Sequence, residues 1–381
     1  MIIDSLKAYK KPKYETLNII EIQKNNLLHN LKILEGERPN SQIIPVLKAN
    51  AYGHGLKELC QIIKNKVKTV AVDSFPEAQI AYKYFKGRVL IMGEMPLKAY
   101  TYTKLNKTEF YVYNYKTLRH IAIKFGQKAK VHLFVNTGMN REGIKDLPKF
   151  IEDNSFYLNK VQVVGLASHL ASAETLSKFN DTQEENFAQA LEFMQKNGYK
   201  DLKTHLGNSA GVFTLKGEYS AYRAGIGFYG YNIIDPQHNK YEIAKQLKPA
   251  LKVYSQIISL QKIKAQEIVS YNENFSAKKD STIAVIPFGY SEGLPRHLSN
   301  QGKLKIMSKD KPFFAQISGN VCMNLTCVDL GDNKAQIGDR VQVVSSLNSD
   351  ANSFANIADL ADTIIYEPLI RLAVNIRRKV V

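Results

Sequence analysis

VLKANAYGHG, residues 46–55, places a lysine where an apolar run gives way to loop residues. Ile43, Ile44, Val46 and Leu47 read as a buried strand, and Asn50, Gly53 and Gly55 as the loop that feeds the next helix. Lys48 is then expected where the first strand ends. In parallel α/β folds ligands bind beyond the carboxyl ends of the strands, and a partly desolvated amine there is a candidate Schiff base former. Taken alone, Lys48 reads more simply as a solvated lysine at a strand end.

Outward from this stretch, apolar runs recur at 69–73, 89–92, 109–112, 131–136, 161–169, 204–206 and 222–226, separated by amphipathic segments. With 43–48 this makes eight strands alternating with helices, the pattern of an α/β protein with an N-terminal (β/α)8 TIM-type barrel. Helical spacing is expected over 21–34, through Ile22, Leu27, Leu28, Leu31 and Leu34, and over 180–197, through Phe187, Ala190, Leu191 and Met194. After about residue 240 the pattern changes to short Val- and Ile-rich runs at 251–260, 281–287, 313–317, 325–330 and 340–345, with a short helix at 355–361. The expected organisation is a barrel domain over 1–240 and a C-terminal, mainly β domain over 241–381, with the boundary in the polar stretch 235–249.

The chain has 381 residues, of which 44% are hydrophobic, enough for packed cores and against disorder. Its formal charge of +17 raises the question of nucleic acid, but the lysines are dispersed rather than clustered with aromatics. Short basic runs at 64–68 and 377–379 read as solvated surface and a frayed tail. Cys60, Cys322 and Cys327 have no metal-ligand spacing and read as reduced thiols. No apolar stretch approaches the roughly 20 residues of a membrane helix, and residues 1–13 lack the apolar centre of a signal peptide. A cytoplasmic protein with no membrane or nucleic-acid partner is expected.

Lys48 and Tyr52, HLGNSAG at 205–211 and YRAGIGFYGY at 222–231 together resemble the alanine racemase family. So do VNTGMNREGI (135–144), GLASHLASAE (165–174), VSYNENFSA (269–277), GYSEGLPR (289–296), GNVCMNLTCVDL (319–330) and IIYEPLIRLA (364–373), all in the family's order. The resemblance implies pyridoxal 5'-phosphate as cofactor, bound through Lys48, with Tyr52, His169, Asn208, Ser209, Arg223, Gly225, Ile226 and Tyr366 around it. It implies a two-base racemisation of alanine by Lys48 and Tyr271, the latter from the partner subunit of a homodimer. Arg141 and Met323 would contact the amino-acid substrate, with Glu174, Tyr290, Glu292 and Arg296 along its channel. Arg223 would face the pyridine nitrogen, and its cationic neighbourhood, linked through His169, would favour the tyrosine's phenolate, since an unperturbed phenol near pKa 10 is a poor base. In a bacterial source the product would be D-alanine for peptidoglycan.

Several positions depart from the family's pattern. Many members carry, two residues before the aspartate of a DTGM run, a carbamylated lysine that orients the arginine; here those positions are Phe134 and Asn136. Arg141 must be held otherwise, with Asn136 or a bound chloride as candidates. Asn272, Asn320 and Asn324 stand where a glycine, an arginine and an aspartate are usual. Substrate breadth beyond alanine therefore stays open, serine among the alternatives. Amino-acid decarboxylases of the same architecture use a glycine-rich phosphate loop that the NSA and RAGIGFYG segments do not match. Single-barrel pyridoxal phosphate carriers lack the second domain.

Overall fold

The computed structural model describes residues 16–381; the first residues, in which no signal-peptide centre is expected, lie outside them. The described chain starts with a short strand, β1 (Ile19–Ile22), followed by the helix Lys24–Glu37. The helix expected from residue 21 thus starts later, because IIEI is taken into a sheet. Eight strands follow: β2 (Gln42–Pro45), β3 (Thr69–Val72), β4 (Arg88–Ile91), β5 (Thr108–Val112), β6 (Lys130–Phe134), β7 (Gln162–Ala167), β8 (Lys203–His205) and β9 (Ala221–Ala224). They are the eight runs read from the sequence.

These strands are parallel and close on themselves. β3 to β8 pair in sequence order, and β2 pairs with β9 with Ile44 opposite Arg223. β2 joins β3 through a bridge from Val46 to Ala71, and β9 meets β8 where Arg223 N–H donates to the Gly207 carbonyl at 3.0 Å. Parallel strands covered by helices are buried on both faces, which is why they read as continuous apolar runs; every residue of β3, β5 and β9 is buried. All eight carboxyl ends open on one rim.

The chain divides into two compact units, one of residues 22–251 with 380–381, the other of the described residues up to Glu21 with 252–379. The second is organised around a nine-stranded sheet. To β1 it adds β10 (Leu251–Gln256), β11 (Ser259–Ile263), β12 (Ser281–Ile286), β13 (Lys303–Met307), β14 (Phe313–Ile317), β15 (Thr326–Asp329), β16 (Arg340–Val344) and β17 (Arg377–Val380). The run expected as one strand over 251–260 is two, broken at Ile257 and Ile258. The basic residues 377–379, expected to fray, form the edge strand β17, where exposed Lys and Arg side chains discourage further strand pairing.

Arg38, at the end of the first helix, fastens it to the barrel. Its Nε donates to the Val212 carbonyl at 2.8 Å and its Nη2 to that of Leu215 at 2.5 Å, while Nη1 pairs with Glu218 at 2.7 Å. The guanidinium also lies 4.8 Å from the Tyr222 ring centroid. Arg38→Ala should strand two buried carbonyls and cost about 2–4 kcal/mol in urea denaturation, with Arg38→Lys recovering less than half. A loss within about 0.5 kcal/mol, the ordinary scatter of surface substitutions, would show that the clamp is dispensable.

Candidate active site

Lys48 lies three residues beyond β2, not at its end as expected. The chain turns there in a way that L-residues rarely adopt: Ala49, Asn50, Ala51 and Tyr52 all have φ between 50° and 54°. Each such residue costs roughly 1–2 kcal/mol, so the turn has to be held from outside. The Glu77 carboxylate accepts from Ala49 N–H at 2.7 Å while also capping its own helix, Phe75–Tyr84 after β3, through Asp73 and Ser74. The Asn50 side chain accepts from Leu56 N–H at 2.9 Å. Tyr229 stacks on Tyr52 and His54 at centroid distances of 4.8 and 4.4 Å, and its hydroxyl donates to the Val46 carbonyl at 2.8 Å.

The same turn delivers the Tyr52 hydroxyl to Gly225. A Cβ at Gly225 would sit 2.5 Å from that oxygen, so any other residue would displace the Tyr52 hydroxyl. Ser209, buried in the loop after β8, accepts from Gly227 N–H at 3.0 Å through its hydroxyl, and Asn208 caps the following turn by accepting from Gly211 N–H at 3.0 Å. Ile226 is buried. Tyr52, Asn208, Ser209, Gly225 and Ile226 are thus assembled at the rim after the last two strands, a place where hydroxyls and backbone N–H groups suit a phosphate.

Arg223 is the buried cation of the site. It is 4% exposed, and its Nη2 donates to the Ser168 carbonyl at 2.6 Å, the Leu206 carbonyl at 3.1 Å and His169 Nδ1 at 3.2 Å. Its Nη1 donates to the His205 carbonyl at 2.5 Å and to His205 Nδ1 at 3.1 Å. Burial, then the positive charges of Arg223, Arg141 and Lys48, push the His169 imidazole down to about 3. His169 is therefore neutral, and Arg223 is the cation in contact with it.

Arg141 follows β6 in an exposed loop. Asn136 does not hold it: the Asn136 amide accepts from Gly138 and Asn140 N–H and donates to the Asn140 side chain. Glu142 takes that part, accepting from Arg141 Nε at 2.5 Å and Nη2 at 2.8 Å and raising the guanidinium's pKa. Phe134, where the carbamylated lysine is expected, is buried against Tyr111 instead. Glu174 accepts from Asp235 N–H through its backbone carbonyl at 2.8 Å.

In the second unit Tyr271, Tyr290, Arg296 and Met323 line one cavity of about 330 Å³, with Asn272, Asn320 and Cys322. Tyr271 and Met323 are 67% and 58% exposed. The departures from the family's pattern are accommodated here. Asn272 takes the left-handed φ of 66°, which asparagine tolerates better than most residues. Asn320 donates to the Tyr271 carbonyl at 2.9 Å and accepts from Asn274 at 2.7 Å, and Asn324 donates to Ser291 and Glu292. The Met323 carbonyl accepts from Ser291 N–H at 2.9 Å. Tyr366 starts the helix Tyr366–Ile370 of this unit.

Residues 22–233 match the family described as alanine racemase, N-terminal domain, and residues 250–380 the family described as alanine racemase, C-terminal domain. An alanine racemase of Borreliella burgdorferi (strain ZS7) is 30% identical over 349 residues, which cover 86% of this chain and 88% of that one. Among solved structures, alanine racemase of Clostridium difficile 630 superposes with a TM-score of 0.86 at 27% identity, covering 97% of either chain. Alanine racemase from Bartonella henselae, solved with covalently bound pyridoxal phosphate, superposes with a TM-score of 0.83 at 25% identity over 96% of this chain and all of that one. The chain belongs to the alanine racemase family. Among the described residues no helix is long and apolar enough to cross a membrane.

Burial holds His132, His169 and His205 below the ordinary imidazole range, and Glu109, despite its burial, is drawn down to about 2 by His132, Lys203 and Arg88. In each case the unfolded chain takes up the proton more readily. Stability is therefore full above the unfolded imidazole value of about 6.5 and falls as the pH drops below it. Urea midpoints near neutral pH and at about pH 5 should show a lower midpoint in acid. An equal or higher midpoint in acid would contradict the neutral state of these imidazoles.

Proposed function

We propose that this protein interconverts L- and D-alanine with pyridoxal phosphate, as a cytoplasmic homodimer whose sites are completed by the β unit of the partner. The observation that carries this reading is the contact of buried Arg223 with His169 at 3.2 Å, beside the Tyr52–Gly225 contact and the Ser209 hydroxyl. These residues fit the cofactor chemically. An amine is present for its aldehyde, a buried guanidinium for its ring nitrogen, and hydroxyls with backbone N–H groups for its phosphate.

Pyridoxal phosphate, when bound, supplies the electron-withdrawing ring that makes the substrate's α proton removable. Lys48 Nζ takes or returns that proton on one face, and the hydroxyl of Tyr271 of the partner subunit does so on the other. Arg223 keeps its protons at any working pH, which disfavours a proton on a ring nitrogen facing it and limits side reactions. Because His169 Nδ1 accepts from Arg223, its proton sits on Nε2, a donor available to a tyrosinate. Arg141, braced by Glu142, offers its remaining N–H groups to the substrate carboxylate, and Met323 a backbone group. Asn208, Ser209, Gly225 and Ile226, with Tyr52 and Tyr366, are assigned to the cofactor.

Circular dichroism of L-alanine and of D-alanine with the cofactor-loaded protein should decay to zero from both sides. Tyr271→Phe should reduce turnover at least about 100-fold with the cofactor's absorbance unchanged. Mixing inactive Lys48→Ala and Tyr271→Phe chains should restore turnover by forming one intact composite site per mixed dimer. No decay would reject the activity; an unimpaired Tyr271→Phe variant would reject the second base; no recovery in mixed dimers would reject the shared site.

A further inference from the structure

Besides His169, Arg223 is braced by His205, whose acceptor state has a source deeper in the barrel. Arg223 is buried, and among the described residues no carboxylate lies within ion-pair distance of it. A buried cation without a counter-charge in contact is costly. Its Nη1 leads instead into a column of side chains. His205 Nδ1 lies 3.1 Å from Arg223 Nη1, His205 Nε2 lies 2.9 Å from His132 Nδ1, and His132 Nε2 lies 3.1 Å from Glu109 Oε2. Glu109, His132 and His205 are each at most 2% exposed. The far end is electrically anchored, since Arg88 at 3.3 Å and Lys203 at 3.4 Å, both about 40% exposed, hold the other oxygen of Glu109.

The backbone is shaped to admit this column. The β6–β7 register shifts between Val131 and His132, and His132 then pairs with Gly165. A Cβ at Gly165 would lie 2.1 Å from His132 Nδ1, so any other residue would displace the ring from His205.

The direction of every hydrogen bond follows from the carboxylate. Ionised Glu109 only accepts, so His132 carries its proton on Nε2 and presents a lone pair at Nδ1. His205 must then donate from Nε2, which leaves the single lone pair of its own Nδ1 to be shared by Arg223 at 3.1 Å and the Tyr111 hydroxyl at 3.2 Å. With the opposite tautomers, His205 Nδ1–H would face Arg223 N–H, donor against donor in a dry interior.

We propose that Glu109 is a positioning residue for the racemase site: across the barrel interior it fixes the tautomers of His132 and His205 and thereby holds the Arg223 guanidinium in place. The tautomers stand independently of the racemase reading; the kinetic consequence rests on it.

The test uses the cofactor-loaded protein labelled with 15N-histidine. Side-chain 15N–1H correlations should show His132 and His205 neutral with the proton on Nε2, and either ring protonated on Nδ1 alone, or doubly protonated, would overturn the proposal. Glu109→Leu should abolish that tautomer order, shift the absorption maximum of the bound cofactor and lower kcat roughly 10- to 100-fold with KM for alanine little changed, the range seen when an orienting partner is removed. Glu109→Gln, whose amide oxygen still accepts from His132 Nε2, should recover most of kcat and the wild-type tautomers. Wild-type tautomers, spectrum and kcat in Glu109→Leu would refute it. Should that variant not fold, the wild-type tautomers and Glu109→Gln decide. Correct tautomers in a protein that does not racemise alanine would reject the proposed function and leave the relay standing.

Discussion

Four consecutive left-handed residues after Lys48 are the constraint on which the site depends. At roughly 1–2 kcal/mol each, the three other than Asn50 cost about 3–6 kcal/mol, a large part of the total stability of a typical domain. Such a turn persists only if its surroundings leave the chain no alternative. Glu77 grips the turn from the helix after β3, Asn50 ties it to the next helix, and Tyr229 packs on its rings while bonding back to Val46. One device thus sets two functional groups, since the turn that starts at Lys48 ends by pressing the Tyr52 hydroxyl on Gly225.

The barrel interior supplies the second constraint. Aliphatic layers fill the centre of most such barrels, yet here Glu109, His132, His205 and Arg223 cross it. A buried polar column is stable only if every member is satisfied, and this one is. The carboxylate at one end and the guanidinium at the other compensate one another through two neutral rings. The stability of the unit and the orientation of Arg223 therefore share a single set of contacts, and acid weakens both.

The eight strands were legible because parallel strands buried on both faces read as unbroken apolar runs. β1 and β17 were not, since IIEI is too short to show a period and RRKV carries three charged residues, as an edge strand can. The left-handed turn left no signal either: alanine at two of its four positions argues against that conformation, and only the folded surroundings enforce it. Arg223 and Tyr52 were found through motif resemblance rather than periodicity, whereas Lys48 stood out at the end of an apolar run before the resemblance gave it a role. Glu142 was missed because neighbouring side chains face apart in regular structure and meet only in a loop such as 138–143. Glu109 and His132 were hidden inside strands read as apolar, although a charged residue in a fully buried run is itself a sign of an interior partner.

The most direct measurement is reduction of the cofactor-loaded protein with borohydride, followed by proteolysis and mass mapping of the modified lysine. The chain has many exposed lysines, so selectivity can come only from the environment the turn creates. Modification confined to the peptide containing Lys48 is the expected result. Label spread over surface lysines, or concentrated on a different one, would contradict the assignment of the turn and of the site built around it.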